Sequence, residues 1–345
     1  MKKFNLFLLG FVLLASSVNA QSAKDIFSSI STFPTEKEVD AQLKTNKPFE
    51  KILKGLDDNI NKYEKTIDNE GETASEEATN RIKELGIAEN ASEENILSNM
   101  NISKADLEAL DNMDDNNPAK IAMAMKIAQQ YNNSNFAQQS KKQSLAMANR
   151  MQGLPENFTG GEISEAQANE MEKRGELITK VSEYNIEMMT TYSPIIRECE
   201  SKISGFESDY DPEKECKALY EKLSNLKQEE TDINNHTATL AAINKYNREY
   251  HEIECQIAAK KLNHMLDILR SSYNKLKPNQ NKLITMDESM VQLNKNMKNG
   301  MENVTEVKNM LIEFAKMYKS VLEENTPAPA VQYKTWAEYE QKGMN

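Results

Sequence analysis

The string with the most recognisable chemistry in the chain is His251-Glu252-Ile253-Glu254-Cys255. It departs from the zinc-protease pattern HExxH only at its last position, where Cys stands for the second His. Residues at i and i+4 share a helix face, and imidazole and thiolate both bind zinc. Further ligands are harder to find. His264 would lie about 180° round the helix from Cys255, and His236 roughly 22 Å away along its axis. These are the only histidines. His251 and Cys255 therefore remain the metal candidates, and the expected reading is a solvated flank beside Tyr250 and Ile253, with no metal and no cofactor.

Two acidic strings suggest calcium and then lose it. Asp111-Asn112-Met113-Asp114-Asp115-Asn116-Asn117 puts Asn116 and Ala122 where an EF-hand loop needs Gly and Glu. Asp209-Tyr210-Asp211 is shorter still, and loop or N-cap roles explain both. Methionines at i, i+4 (Met147/Met151, Met286/Met290, Met297/Met301) could offer thioethers to copper(I), but they coincide with the apolar seams and read as core fillers. No GxSxG, GxGxxG, Walker A, CxxC or ExxH string occurs, so no catalytic residue is assigned and no enzyme is expected.

The three cysteines, Cys199, Cys216 and Cys255, pose a question of geometry. Cys199 and Cys216 are nearly equidistant from the middle of the loop 204–212. Antiparallel packing about that loop brings them opposite each other, which predicts a Cys199–Cys216 disulfide. A fold-back at Asn234-Asn235 would instead make Cys216 and Cys255 the equidistant pair.

Which geometry holds depends on the stretch from Glu213 to Leu276, free of Gly and Pro. Cys216, Leu219, Leu223, Leu226, Ile233, Leu240, Ile243, Tyr246, Tyr250, Ile253 and Ile257 recur in three-four steps. The phase survives the polar run 232–236, so one helix roughly 95 Å long is expected, with the fold-back as the structural alternative.

The remaining segments are read against that helix. Residues 1–20 have the basic start, apolar run and small-residue end of a secretory signal, so the chain is expected to be exported, periplasmic or secreted, with cleavage near Ala20. Residues 21–161 read as short helices, with breaks at Lys47-Pro48 and at 69–72. Among them Ala119–Tyr131 is apolar on nearly every side and is expected to be buried; with 136–151 it forms an Ala/Met-rich hairpin. Residues 162–324 read as a long-helix antiparallel coiled-coil bundle, kinked at Ser193-Pro194, ending the long helix at Lys277-Pro278 and passing Gly300 without a break. Residues 325–345 are a Pro/Ala linker and a tail whose Tyr333, Trp336 and Tyr339 form an aromatic face that docks on the body or, alternatively, on a partner.

Composition fits an all-α, elongated antiparallel helical bundle with one very long central helix, since 11 Gly and 9 Pro in 345 residues leave little turn chemistry for β structure. A net charge of −12 argues against nucleic-acid partners and against electrostatic docking on anionic lipid. No apolar run after the signal approaches the roughly 20 residues of a membrane span. The expected function is an exported, non-catalytic helical scaffold or protein-interaction protein, acting on a protein partner or by self-association. The alternatives are a membrane-active protein inserting the 119–151 hairpin and, further off, a metal-binding protein or enzyme using His251.

Overall fold

The computed structural model describes residues 21–85, 87, 91–114, 117–230 and 234–343; the leader expected over 1–20 lies outside them. The fold is all-α, with no strand among the described residues. The chain opens with α1 (Ala23–Ile30), α2 (Glu36–Gln42) and α3 (Glu50–Glu84). Ser22 and Thr35 start the first two through capping boxes with Asp25 and Glu38, which satisfy orphan amides at both ends of the box. Next come α4 (Glu93–Asn99), α5 (Lys104–Asp111), α6 (Pro118–Asn132) and α7 (Asn135–Gln152). A long run follows: α8 (Glu165–Glu187), a π-turn at Met188–Tyr192, and α9 (Ser193–Ser204). Short pieces α10 (Phe206–Asp209), α11 (Pro212–Glu215) and α12 (Lys217–Asn225) precede α13 (His236–Leu276). A 3₁₀ turn at Lys277–Asn279 joins α13 to α14 (Gln280–Met297), and α15 (Glu306–Glu324) and α16 (Trp336–Lys342) finish the chain.

The very long helix is present, displaced from its expected bounds. It runs 62 residues from His236 to Met297, not from Glu213 to Leu276. Pro278 fails to end it because a 3₁₀ turn absorbs a residue without an N–H. Pro194 is accommodated in a related way, by the wider π-turn just before it. Upstream, the helix stops at Leu226 and the chain reverses before Asn235, whose side chain caps Ala238 N–H. Lys245 pairs with Glu229, Lys260 Nζ donates to Glu215 O at 2.7 Å, and Lys261 pairs with Glu207. Ascending numbers meet descending ones, so α12 packs antiparallel on α13, as the fold-back alternative requires.

The chain divides into two compact units. One comprises residues up to Tyr63, Ile186–Asp287 and Glu306–Asn345. Its core is α15, which buries Val307, Met310, Leu311, Phe314, Tyr318 and Leu322, chiefly against Ile26, Phe27 and Ile30 of α1. Each such side chain contributes about 1.5–3 kcal/mol by leaving water. Tyr318 stacks on Phe33 at 4.8 Å and donates its hydroxyl to Thr32 O at 2.7 Å. Inside this core lies an ion pair, Lys308 Nζ to Asp287 Oδ1 at 3.5 Å, with side chains 2% and 4% exposed.

The other unit comprises Glu64–Asn185 and Glu288–Thr305. Here the expected break at 69–72 is absent, and α3 runs straight through Gly71. A mid-helix Gly costs only about 1 kcal/mol. Glu70 offsets it by accepting from Asn303 N at 2.9 Å and Asn303 Nδ2 at 2.7 Å. Gly300, expected to be passed in phase, instead lies in a loop at φ 76°; a Cβ there would stand 2.8 Å from Ala74 backbone. The expectation that Ala119–Tyr131 is buried also fails. Ile127 is buried, but Ile121 and Met125 are 60% and 64% exposed.

Candidate interaction site

The structure brings His251 and Cys255 together as i, i+4 spacing dictates, with Sγ 3.4 Å from Nε2. The thiol is buried and donates to Leu43 O at 3.3 Å, which ties α13 to the end of α2. Burial, the largest influence, pushes its pKa up, the reverse of what a nucleophile or metal ligand needs. His236 stacks on Trp336 and His264 tilts against Tyr210, so neither completes a ligand set. Among the described residues no group of three His, Cys, Asp or Glu is placed to hold a metal ion. Of the acidic strings, Asp115 and Asn116 lie outside the described residues, while Asp211 caps Lys214 N–H at 3.1 Å.

The Cys199–Cys216 disulfide does not form; all three cysteines are free and buried. Cys199 faces α13, where Ser272 hydrogen-bonds it and burial raises its pKa. Cys216 sits at the break between α11 and α12, with φ −116° and ψ 15°, and its sulfur contacts Tyr210 Oη at 3.6 Å. That break turns Cys216 off the seam on which the expected pairing relied. Nor does fold-back pair Cys216 with Cys255, because Cys255 points at Leu43.

Tyr333, Trp336 and Tyr339 are brought together. Trp336 lies 5.2 Å from Tyr339, and Tyr333 meets Tyr339 edge-on, also at 5.2 Å. The cluster docks on the start of α13: Trp336 stacks on His236 at 4.2 Å and 6°, and Asn247 Nδ2 holds Val331 O at 2.9 Å.

Sequence reasoning missed an open cleft between α9 and α15, of about 710 Å³. Ile196, Ile203, Met310 and Met317 supply apolar walls, while Arg197, Glu200, Glu306, Glu313 and Lys316 supply charge of both signs. Just before it, Ile186 and Met189 stand 63% and 70% exposed. Ser193, Ile196, Arg197, Glu200 and Ile203 of α9 line the cleft as one face in three-four steps, while the π-turn at Met188–Tyr192 sets Ile186 and Met189 out of that register. The face is held rigidly from behind. Tyr192 is buried and donates to Glu187 at 3.1 Å; burial first, then that carboxylate, push its phenol up to about 12. The available signal was two large apolar residues, Ile186 and Met189, out of phase with the seam through Met188 and Tyr192.

No protein-family model, curated protein or solved structure matches this chain.

Proposed function

We propose that the chain is an exported, non-catalytic helical protein that binds a protein partner, taking an amphipathic helix of that partner into the cleft between α9 and α15. The carrying observation is the open cleft itself, whose α9 wall (Ser193, Ile196, Arg197, Glu200) faces Met310 and Met317 of α15, with exposed Ile186 and Met189 just upstream in the chain. A helix laid in a groove anchors through its own residues at i, i+3 and i+4, and apolar walls beside charges of both signs suit its amphipathic face. The cleft volume is in the range of built binding sites. Export rests on the leader-like sequence of residues 1–20.

The experiment is purification of the chain from its native source beside the double variant Ile186→Ser/Met189→Ser. The wild type is expected to carry a stoichiometric polypeptide in native mass spectrometry, and the variant to lose it at least tenfold. A wild-type chain that purifies alone, or a variant that keeps its partner, contradicts the proposal.

A further inference from the structure

In a chain of net charge −12, every charged residue of 118–152 is basic: Lys120, Lys126, Lys141, Lys142 and Arg150. These residues lie on α6 and α7, the same helices that expose apolar side chains. Ile121 and Met125 stand one turn apart on the side of α6 away from buried Ile127, with exposed Ala124 and Ala128 beside them. On α7, exposed Leu145 shares a side with exposed Lys141 and Lys142, whereas Met147 lies on the opposite side, toward Glu77 and Arg81 of α3.

We propose that the α6–α7 hairpin is a peripheral docking surface for an anionic lipid bilayer. An apolar helix face flanked by lysines settles roughly 5–10 Å into the boundary between headgroups and acyl chains, where lysine stems also find cover. No helix among the described residues is long and apolar enough to cross a membrane, so the attachment lies along the surface. The protein's net negative charge does not forbid it, because charges beyond a Debye length of about 8 Å are screened at physiological ionic strength. A second copy of the hairpin is a poor occupant, since it would oppose basic residues to basic residues. A protein helix seats in a groove, whereas Ile121 and Met125 form a ridge, which a soft apolar layer accepts. Three of the five basic residues are engaged within the chain, Lys126 with Asp106 of α5 at 3.2 Å, Arg150 with Glu156 at 3.5 Å and Lys120 with Met113 O at 2.9 Å, which leaves Lys141 and Lys142 as the charges that face solvent.

The test is co-flotation of the chain from Gln21 onward with vesicles of phosphatidylglycerol and phosphatidylcholine in equal parts, beside vesicles of phosphatidylcholine alone. Binding is expected to the anionic vesicles and at least tenfold weaker to the neutral ones, falling further in high salt. Each lysine near the surface is worth roughly fivefold, so Lys141→Glu/Lys142→Glu should lose at least 25-fold. Ile121→Ser/Met125→Ser should also abolish flotation, with helical circular dichroism unchanged in both variants. No flotation with anionic vesicles, equal flotation with neutral ones, or retention in both variants overturns the proposal. Capture of an acidic amphipathic peptide without vesicle binding also overturns it, and assigns the hairpin to a protein partner.

Discussion

Asn244 and Tyr333 grip each other through a two-point clamp. Asn244 Nδ2 donates to Tyr333 O at 2.8 Å, and Tyr333 N–H donates to Asn244 Oδ1, also at 2.8 Å. One side-chain amide thus satisfies a backbone donor and a backbone acceptor 89 residues away, which fixes where the tail lands on α13.

The clamp predicts the behaviour of the tail. Asn244→Ala removes both bonds, at about 1 kcal/mol each, and should free a segment that otherwise rests on few buried contacts. Trp336 is the only tryptophan and stacks on His236, so its emission reports docking directly. Red-shifted emission and faster proteolysis near Val331 are expected in the variant; unchanged emission would show that the clamp does not hold the tail.

A second prediction concerns Lys308 and Asp287. Asp287 Oδ2 also accepts Ala23 N–H at 3.3 Å, so the pair ties α1, α14 and α15 together in the core. Leaving one buried charge without its partner costs about 3–5 kcal/mol, whereas an apolar replacement of both is often neutral. Denaturant unfolding of Asp287→Ala should show a loss of that size, and Asp287→Leu/Lys308→Met should recover most of it. Equal losses in the two variants would contradict this.

The three thiols give a third. Cys199, Cys216 and Cys255 are buried, and for Cys199 and Cys255 burial disfavours the thiolate that oxidation needs. Non-reducing peptide mapping should find three free cysteines that react with a thiol reagent only on unfolding. A Cys199–Cys216 link would contradict the register described for α9 through α12.

Acid stability gives a fourth. Glu198 takes hydrogen bonds from Lys202 at 2.6 Å and Lys275 at 2.8 Å, which hold its carboxyl down at about 2. A depressed pKa means that this stabilisation is present above the ordinary carboxylate value and is lost as pH falls from about 4.5 to about 2. The site is exposed, so the effect is small and screened by salt. Thermal unfolding should place Glu198→Gln below wild type at neutral pH, with the two converging near pH 2; parallel curves would contradict the assignment.

Helix content was legible in the sequence because three-four periodicity is a property of neighbours. The breaks were not. The 69–72 string and Pro278 looked like stops, yet Glu70 gains Asn303 and a 3₁₀ turn carries Pro278. Gly300 looked harmless inside a seam but lies where Ala74 leaves no room for a Cβ. In each case a distant or local backbone contact outweighed a propensity of about 1–3 kcal/mol. The fold-back was hidden because the three-four pattern of apolar residues runs through it in the sequence, although the stripe that α13 buries is another one, through Cys255, Ala259, Leu262, Leu266 and Leu269. His251 and Cys255 were placed correctly on one helix face, but the burial of Cys255 against Leu43 depends on α2, more than two hundred residues away. The cleft escaped notice because exposure is not encoded in the spacing of Ile186 and Met189 alone.

A partner helix seated between α9 and α15 would be caught by photo-crosslinking in the native source. A benzophenone amino acid is placed at Met189, at Met317, or at exposed Glu36 on α2 as the control. One discrete crosslinked protein is expected from Met189 and Met317 and none from Glu36. No crosslink at either cleft position, or the same products at all three, would contradict it.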